Sequence, residues 1–521
     1  MIDLLINGGR VLDGTGAPAI YASVAVEGDR LRILRGEVSE VEAVRTIDAT
    51  GKVVCPGFID VHAHSSLVIL DDPEHMPKVH QGVTTEVIGI DGVSYAPFRR
   101  EEDRRDLIWL NSGFDGSPST PKTWGSVSEY LDVYDGSVAV NIATMVGNSP
   151  IRAGSVGWNM RQPTAAEMDV QIGLLREAIE DGAFGLSTGL DYPPGSFADT
   201  DELVALCEQT ARLGGFYHTH VRYSLGDRYL DPFREALEIG RRADVPVHLT
   251  HLCRLVTHPG GAGRIMELVE DARAGGMDVT FDMFPYPFGP TKILIMFPQW
   301  IQDGGPRRTL EVLKDGEARE QLRDEVIPLA RDWDEIWMTN FKLAHNKCYE
   351  GRSVASVSEA RGQHPVDTMS ELLIEESLGV SFVGEVIDQG TLPDFMVHPL
   401  YMVGSDAVMI GDYPSPMAYG CYPMFLSMMV REEGRIRLEE AIRKMTSGPA
   451  QRLGIHDRGI LRDGFFADLV IFDPAVIRPN VSRSRPKQLS DGVDYVIVNG
   501  TIVIDEGRHT GALAGRALRK A

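Results

Sequence analysis

Two histidines one residue apart, His62 and His64, close the run Pro56-Gly57-Phe58-Ile59-Asp60-Val61-His62-Ala63-His64. Such an apolar run suits a buried strand, and residues two apart on a strand face the same side, so both imidazoles can meet one cation. His220, His251 and Asp406 lie later in the chain, each close behind another strand-like run. Neutral imidazoles and carboxylates suit zinc and similar divalent ions, and a catalytic site of that kind keeps a position open for water. The chemistry implied is hydrolysis. A lone buried histidine is more often a hydrogen-bonded core residue, but the shared strand face sets the His62/His64 pair apart.

Such residues need a scaffold that gathers them. Thr164 to Glu167 has the spacing of a capping box, Met168, Ile172, Leu175 and Ile179 recur at helical period, and Gly182 stops the helix before the apolar run 183–188. The unit then repeats. Helices over about 201–213, 232–242 and 264–274 lead into strand-like runs at 216–220, 245–251 and 277–282. This α/β alternation argues for a parallel sheet closed into a (β/α)8 barrel, with the chemistry at the carboxyl ends of the strands.

The two ends of the chain resemble each other. Residues 3–14 and 496–505 are both β-rich and broken by Asn-Gly, a strong hairpin signal, with further strands expected at 24–26 and 467–472. Both termini are therefore expected to form one small β-sandwich from residues 1–54 and 451–521, around a barrel over 55–450. An insertion over about 287–345, opened by the proline- and aromatic-rich stretch from Pro285, breaks the βα rhythm. Two roles are open to it: a cover over the active site, or packing on the barrel's outside.

Composition narrows the function. With 51 lysines and arginines against 75 aspartates and glutamates, a formal charge of −24, a grip on nucleic-acid phosphates or anionic lipid is disfavoured. Hydrophobic residues at 43% and charged residues at 24% describe an ordinary globular chain with a large core. Five cysteines without metal-type spacing fit a reducing compartment. No secretory signal and no apolar run of the ~18 residues that span a bilayer is present. The expectation is a soluble cytoplasmic enzyme with a small-molecule substrate, no nucleic-acid or membrane partner, and self-association left open.

The run ending in His62-Ala63-His64 resembles the opening signature of the amidohydrolase superfamily, and the resemblance narrows to the D-aminoacylases, the N-acyl-D-amino-acid deacylases. Supporting stretches are Gln81-Gly82-Val83-Thr84-Thr85-Glu86-Val87, Gly185-Leu186-Ser187-Thr188-Gly189-Leu190-Asp191-Tyr192-Pro193-Pro194-Gly195, Glu350-Gly351-Arg352-Ser353, His398 to Asp406 and Thr446-Ser447-Gly448-Pro449-Ala450. They run across nearly the whole chain in family order. The resemblance implies a metal-dependent barrel holding one or two Zn2+ ions, with His62, His64, His220 and His251 as ligands and Asp406 as the catalytic carboxylate. His218 and His248 are left as core neighbours.

The sequence departs from the family in places that matter. Where D-aminoacylases carry a cysteine ligand, this chain has Asp91 in Gly89-Ile90-Asp91-Gly92, and a carboxylate there is a harder ligand able to bridge two ions. The family's His-Pro-Arg is Ser415-Pro416-Met417, its lysine two after the strand histidine is Cys253, and Met424 stands where arginine is common. An enzyme that grips an amino-acid carboxylate needs positive charge. Arg254 and Arg222 are the candidates for that role, and Tyr192 and Tyr286 are candidate donors to substrate. The activity expected is cleavage of an N-acyl-D-amino acid or a related N-acyl compound. Opening of a cyclic amide or lactone on the same barrel, and a non-catalytic assembly module, are the competing readings.

Overall fold

A computed structural model describes residues 2–36, 41–119 and 123–520. Eight parallel strands form the central barrel: β1 (Phe58–Asp60), β2 (Val83–Ile88), β3 (Asn141–Thr144, continued by Val146–Gly147), β4 (Gly185–Gly189), β5 (Phe216–His220), β6 (Val247–Leu249), β7 (Val279–Met283) and β8 (Tyr401–Val403). Each pairs with its neighbour in parallel, with Asp60 opposite Glu86, Gly189 opposite His220, and Phe281 opposite Tyr401. The ring closes between β8 and β1 just past the strand ends. There Ala63 and Ala407 form a parallel bridge and Asp406 N donates to His62 O at 2.9 Å.

Helices cover the outside because their buried positions recur at helical period. Ala165–Glu180 precedes β4 and starts at the capping box read from sequence, with Glu167 N donating to Thr164 Oγ1 at 3.3 Å and Thr164 N to Glu167 Oε2 at 2.7 Å. Thr200–Arg212, Asp231–Ala243 and Ala262–Ala274 precede β5, β6 and β7 in the same way. Among the described residues, no helix is long and apolar enough to cross a membrane.

Strands from both ends of the chain build the small β domain. One sheet runs in the order Arg30–Leu34, Ser23–Glu27, Ile2–Asn7, Ala43–Asp48. In the other, Val53–Pro56 pairs in parallel with Arg10–Val11 and antiparallel with Leu469–Phe472, which continues into Val493–Val498 and Thr501–Asp505. Leu4, Ile6, Val24 and Ile47 meet Leu469, Ile471 and Ile497 in its core. The two Asn-Gly pairs behave differently. Asn499-Gly500 closes a tight hairpin with both residues at positive φ. Asn7-Gly8 instead hands the chain from one sheet to the other, because Ile2–Asn7 finds its partners in Ser23–Glu27 and Ala43–Asp48.

The excursion between β7 and β8 begins where the sequence rhythm breaks but continues to about Glu385, well beyond 345, before the helix Leu392–Met396 returns to the barrel core. Phe288–Lys292, Ser381–Glu385 and Ile336–Thr339 form an antiparallel sheet, flanked by helices Gly305–Lys314, Gly316–Glu325, Val354–Arg361 and Pro365–Glu375. Leu294, Leu313, Met338, Leu372 and Phe382 give it a hydrophobic core of its own. The second half reads like further βα units by periodicity, and only its antiparallel pairing separates it from the barrel. Residues of this insertion and of the barrel mouth together enclose a cavity of about 770 Å³. The insertion thus roofs the strand ends.

Candidate metal centre

His62 and His64 follow β1, and both Nε2 atoms are buried without a hydrogen-bond partner. Asp91 reaches the same point from the turn after β2. Its Oδ2 lies 3.4 Å from His62 Nε2 and 3.7 Å from each of His64 Nε2, His220 Nδ1 and His251 Nε2. Asp406 Oδ1, past the end of β8, sits 3.4 Å from His62 Nε2 and 3.2 Å from His64 Nε2. Two groups overlap at Asp91, one of His62, His64, Asp91 and Asp406 and one of Asp91, His220 and His251, while His62, His218 and Asp282 form a third cluster. Ligands of a tetrahedral ion at about 2.0–2.1 Å stand roughly 3.3–3.5 Å apart, so this spacing is that of a coordination shell. The donor set fits one divalent ion per group, with Asp91 common to both.

Glycine makes the close approach possible. A Cβ on Gly189, at the end of β4, would lie 2.0 Å from the carbonyl oxygen of Asp91, and one on Gly404 would lie 2.8 Å from His62 Cβ. Any larger residue would push the Asp91 turn or β8 away from the centre.

Each imidazole is held from behind. His62 Nδ1 pairs with Asp282 Oδ2 at 3.2 Å, His64 Nδ1 with Asp115 Oδ1 at 3.1 Å, His220 Nε2 with Asp191 Oδ2 at 3.2 Å, and His251 Nδ1 with the Tyr223 hydroxyl at 3.1 Å. Such partners fix the ring and aim the other nitrogen at the centre, where the Nε2 atoms of His62 and His64 have no hydrogen-bond partner and His220 Nδ1 lies 2.9 Å from His251 Nε2. Asp282 also accepts from His248 Nε2 at 3.0 Å and from the His251 backbone N–H at 2.9 Å. Sequence reasoning missed Asp115, Asp282 and Tyr223, since no spacing relates them to the histidines they hold; Asp191 stood unremarked within a family stretch. Beneath the site, Lys78 Nζ reaches Asp60 Oδ2 at 2.5 Å, Ser405 Oγ at 2.6 Å and Glu86 Oε1 at 3.1 Å, locking the ends of β1 and β8 together.

The electrostatics demand positive charge. Burial opposes the imidazolium form of His62, but Asp91, Asp282 and Asp406 outweigh it and hold His62 well above the ordinary imidazole range. Burial also opposes His64 and His220, yet Asp115, Asp406 and Asp91 raise His64 to about 10, and Asp191 and Asp91 raise His220 to about 9. Burial pushes Asp91 and Asp406 up while the facing imidazoles pull harder, leaving Asp91 well below and Asp406 below the usual carboxylate range. His218 and His248 differ: burial holds both below the ordinary value, with His218 packed against His248 inside the barrel.

The other expected substrate contacts divide. Tyr192 lines the cavity, with its ring 5.0 Å from that of His220 and its hydroxyl 2.9 Å from Thr291 Oγ1. Tyr286 does not reach the cavity, because its buried hydroxyl donates to Gly420 O at 3.1 Å. Arg254 is turned away as well, ion-paired with Asp388 and donating to the His258 carbonyl. Arg222 borders the cavity but is held by Glu235 at 3.1 Å and by the carbonyls of Ser196 and Ala198 at 2.8 and 2.7 Å.

A parallel barrel that gathers imidazoles and carboxylates at the carboxyl ends of its strands defines the class: a barrel hydrolase of the metal-dependent type. A family model described as amidohydrolase family matches residues 45–289 and 328–504. The chain is 33% identical to a D-aminoacylase of Alcaligenes xylosoxydans xylosoxydans, over 99% of this chain and 98% of that protein. It superposes with a TM-score of 0.83, at 30% identity and over the full length of both chains, on an N-acyl-D-glutamate deacylase from Bordetella bronchiseptica complexed with zinc and a phosphonate mimic of the tetrahedral intermediate. A D-hydantoinase superposes at 0.56 with 14% identity, a likeness of fold alone. The chain belongs to the amidohydrolase family, on its D-aminoacylase branch.

Proposed function

We propose that the protein is a zinc-dependent hydrolase of carbon–nitrogen bonds other than peptide bonds, cleaving the amide of an N-acyl-D-amino acid or a related N-acyl compound. The observation that carries this reading is Asp91 Oδ2 standing 3.4–3.7 Å from four imidazole nitrogens, with Asp406 beside two of them. In this reading His62, His64, Asp91, His220 and His251 hold the metal. When bound, a divalent ion polarises the amide carbonyl and lowers the pKa of water toward neutrality.

The protein's own groups supply the rest. Asp406 lines the cavity and is kept ionised by His62 and His64, so its carboxylate can orient the attacking water, take its proton and deliver that proton to the departing nitrogen. The Tyr192 hydroxyl, free to exchange its Thr291 partner for substrate, is placed to donate to the acyl or amine half. Fully buried imidazoles and a roof of insertion residues limit water at the reacting atoms. The five cysteines are all free thiols, which supports a cytoplasmic setting.

The test is a panel of N-acyl-D-amino acids and neutral N-acyl amines, alongside hydantoins, dihydroorotate and lactones, assayed on protein of measured zinc content. Release of amine from the linear compounds is the expected result. Turnover confined to cyclic substrates would replace this reading by the cyclic-amide one, and no turnover by zinc-loaded protein would favour the assembly module.

A further inference from the structure

The cavity above the metal centre has an unusual charge inventory for an enzyme of amino-acid derivatives. Among the described residues, the only arginines or lysines that line it are Arg222 and Arg228. Arg222 has each of its three guanidinium nitrogens engaged, by Glu235 and the carbonyls of Ser196 and Ala198. Arg228 is exposed and sits on the outer loop. Lys292 is not among the cavity-lining residues; burial lowers it to about 7, and its Nζ, 5.4 Å from the Tyr192 ring centroid, donates to Asn111 Oδ1 at 2.8 Å. Arg254 is committed to Asp388.

The walls are apolar where a substrate would lie. Phe284, Ile295, Phe297, Leu329, Phe382 and Ile387 line them, and the other polar groups on the lining include the neutral Thr291 hydroxyl and Gln299 amide and the carboxylates of Asp191 and Glu325, which would repel an anion. The volume of about 770 Å³ lies high in the range of about 300–1,000 Å³ that houses drug-sized ligands, whereas an acetylated leucine has only about a dozen non-hydrogen atoms. A carboxylate set against these walls would lose its hydration and gain no cation.

We propose, resting on the deacylase reading above, that the substrate is an uncharged amide: an N-acylated amine or amino-acid amide with a bulky apolar body and no carboxylate beside the scissile nitrogen. The reaction balances as simple hydrolysis, water adding across the C–N bond to give a carboxylic acid and an amine. Neutral hydroxyls and amides would bind the polar edge of such a molecule, and the apolar walls would bury its bulk.

The test compares N-acetyl-D-phenylalanine, N-acetyl-D-phenylalaninamide and N-acetyl-D-alaninamide on the zinc-loaded wild-type enzyme, with amine products separated by chromatography and a hydantoin run in parallel. The expected kcat/KM is at least about tenfold higher for the phenylalaninamide than for the free acid, and again about tenfold higher than for the alaninamide, the size of effect that ring burial gives. Equal or faster hydrolysis of the acid would overturn the proposal while leaving the deacylase reading intact. If that acid rate then fell about tenfold in Arg228→Ala, the grip would lie at the rim instead. Hydantoin opening without cleavage of any linear amide would overturn both readings together.

Discussion

Replacing Asp282 by asparagine tests whether the metal centre is set by the groups behind it. Asp282 is completely buried and accepts from His62 Nδ1 at 3.2 Å, His248 Nε2 at 3.0 Å and the His251 backbone N–H at 2.9 Å. Asparagine keeps the shape but offers one acceptor oxygen. With that oxygen turned to the His251 N–H, the amide NH2 faces His62 and His248. His62 must then accept at Nδ1 and carry its proton on Nε2, the nitrogen that faces Asp91 and Asp406 at 3.4 Å. A protonated Nε2 has no lone pair for a cation. Loss of a carboxylate behind a ligating histidine costs about 10–100-fold in metal affinity, equivalent to about 1.4–2.7 kcal/mol. Lost charge-assisted hydrogen bonds are worth about 1.5–3 kcal/mol each, so the metal-free protein should also melt earlier. Zinc affinity is measured by competition with a chromophoric chelator, with circular dichroism confirming the fold. An Asp282→Asn protein that folds normally and binds zinc within twofold of wild type would refute the tautomer argument.

Asp406→Asn should keep zinc, since four imidazoles and Asp91 remain and the asparagine oxygen still faces the ion, yet lose about 10²–10⁴-fold in kcat, because proton transfer needs the carboxylate; a near-normal rate would remove it from that role. Lys78→Met leaves Asp60 buried without its cation and Glu86 with only His75 and Ser65 as partners, and should cost about 3–5 kcal/mol of stability, read from denaturant unfolding; a loss below about 1 kcal/mol would show the network to be dispensable. His64 and His220, raised from 6.5 to about 10 and about 9, are protonated at neutral pH in the metal-free protein. Zinc uptake must therefore release protons and tighten as pH rises from 6 toward 9; calorimetry in buffers of different ionisation enthalpy measures this, and uptake without proton release would contradict it.

The clustering of the candidate metal-binding side chains was easier to read from the sequence than the groups packed behind them. His62 and His64 stood out by their two-residue spacing behind an apolar run, although β1 ends at Asp60 and both lie in the segment just past it and not on the strand face expected from sequence. His220, His251 and Asp406 were found by their place after strand-like runs together with the family resemblance. Asp91 came from its position where the family has cysteine. Asp115, Asp282 and Tyr223 were invisible, because the barrel brings each to its histidine from 28 to 220 residues away. Arg254 and Tyr286 failed for the converse reason. Proximity in sequence to a strand end says nothing of where a long side chain points, and local carbonyls and Asp388 claimed both polar ends first. The insertion was underextended because Val354–Arg361, Pro365–Glu375 and Ser381–Glu385 have the period of a barrel unit and differ only in pairing direction.

One property of the centre lies in the backbone. Asp91, His251 and Asp406 all have φ in the left-handed region, at 51, 34 and 47 degrees, where non-glycine residues carry a cost of about 1–3 kcal/mol each. Each stands in the turn just beyond a barrel strand, and the left-handed step swings its side chain toward the barrel axis. The strain is held by bonds that need no ion: Asp406 N to His62 O at 2.9 Å, His251 N to Asp282 Oδ1 at 2.9 Å, and Gly92 N to Ser187 Oγ at 3.1 Å beside Asp91. These bonds, none of which involves a cation, hold the three side chains around one point, the preorganisation that a metal site needs. That is also why Asp282 matters so much: it fixes the orientation of His62 and the backbone of His251 at once, coupling a ligand of one group to a ligand of the other.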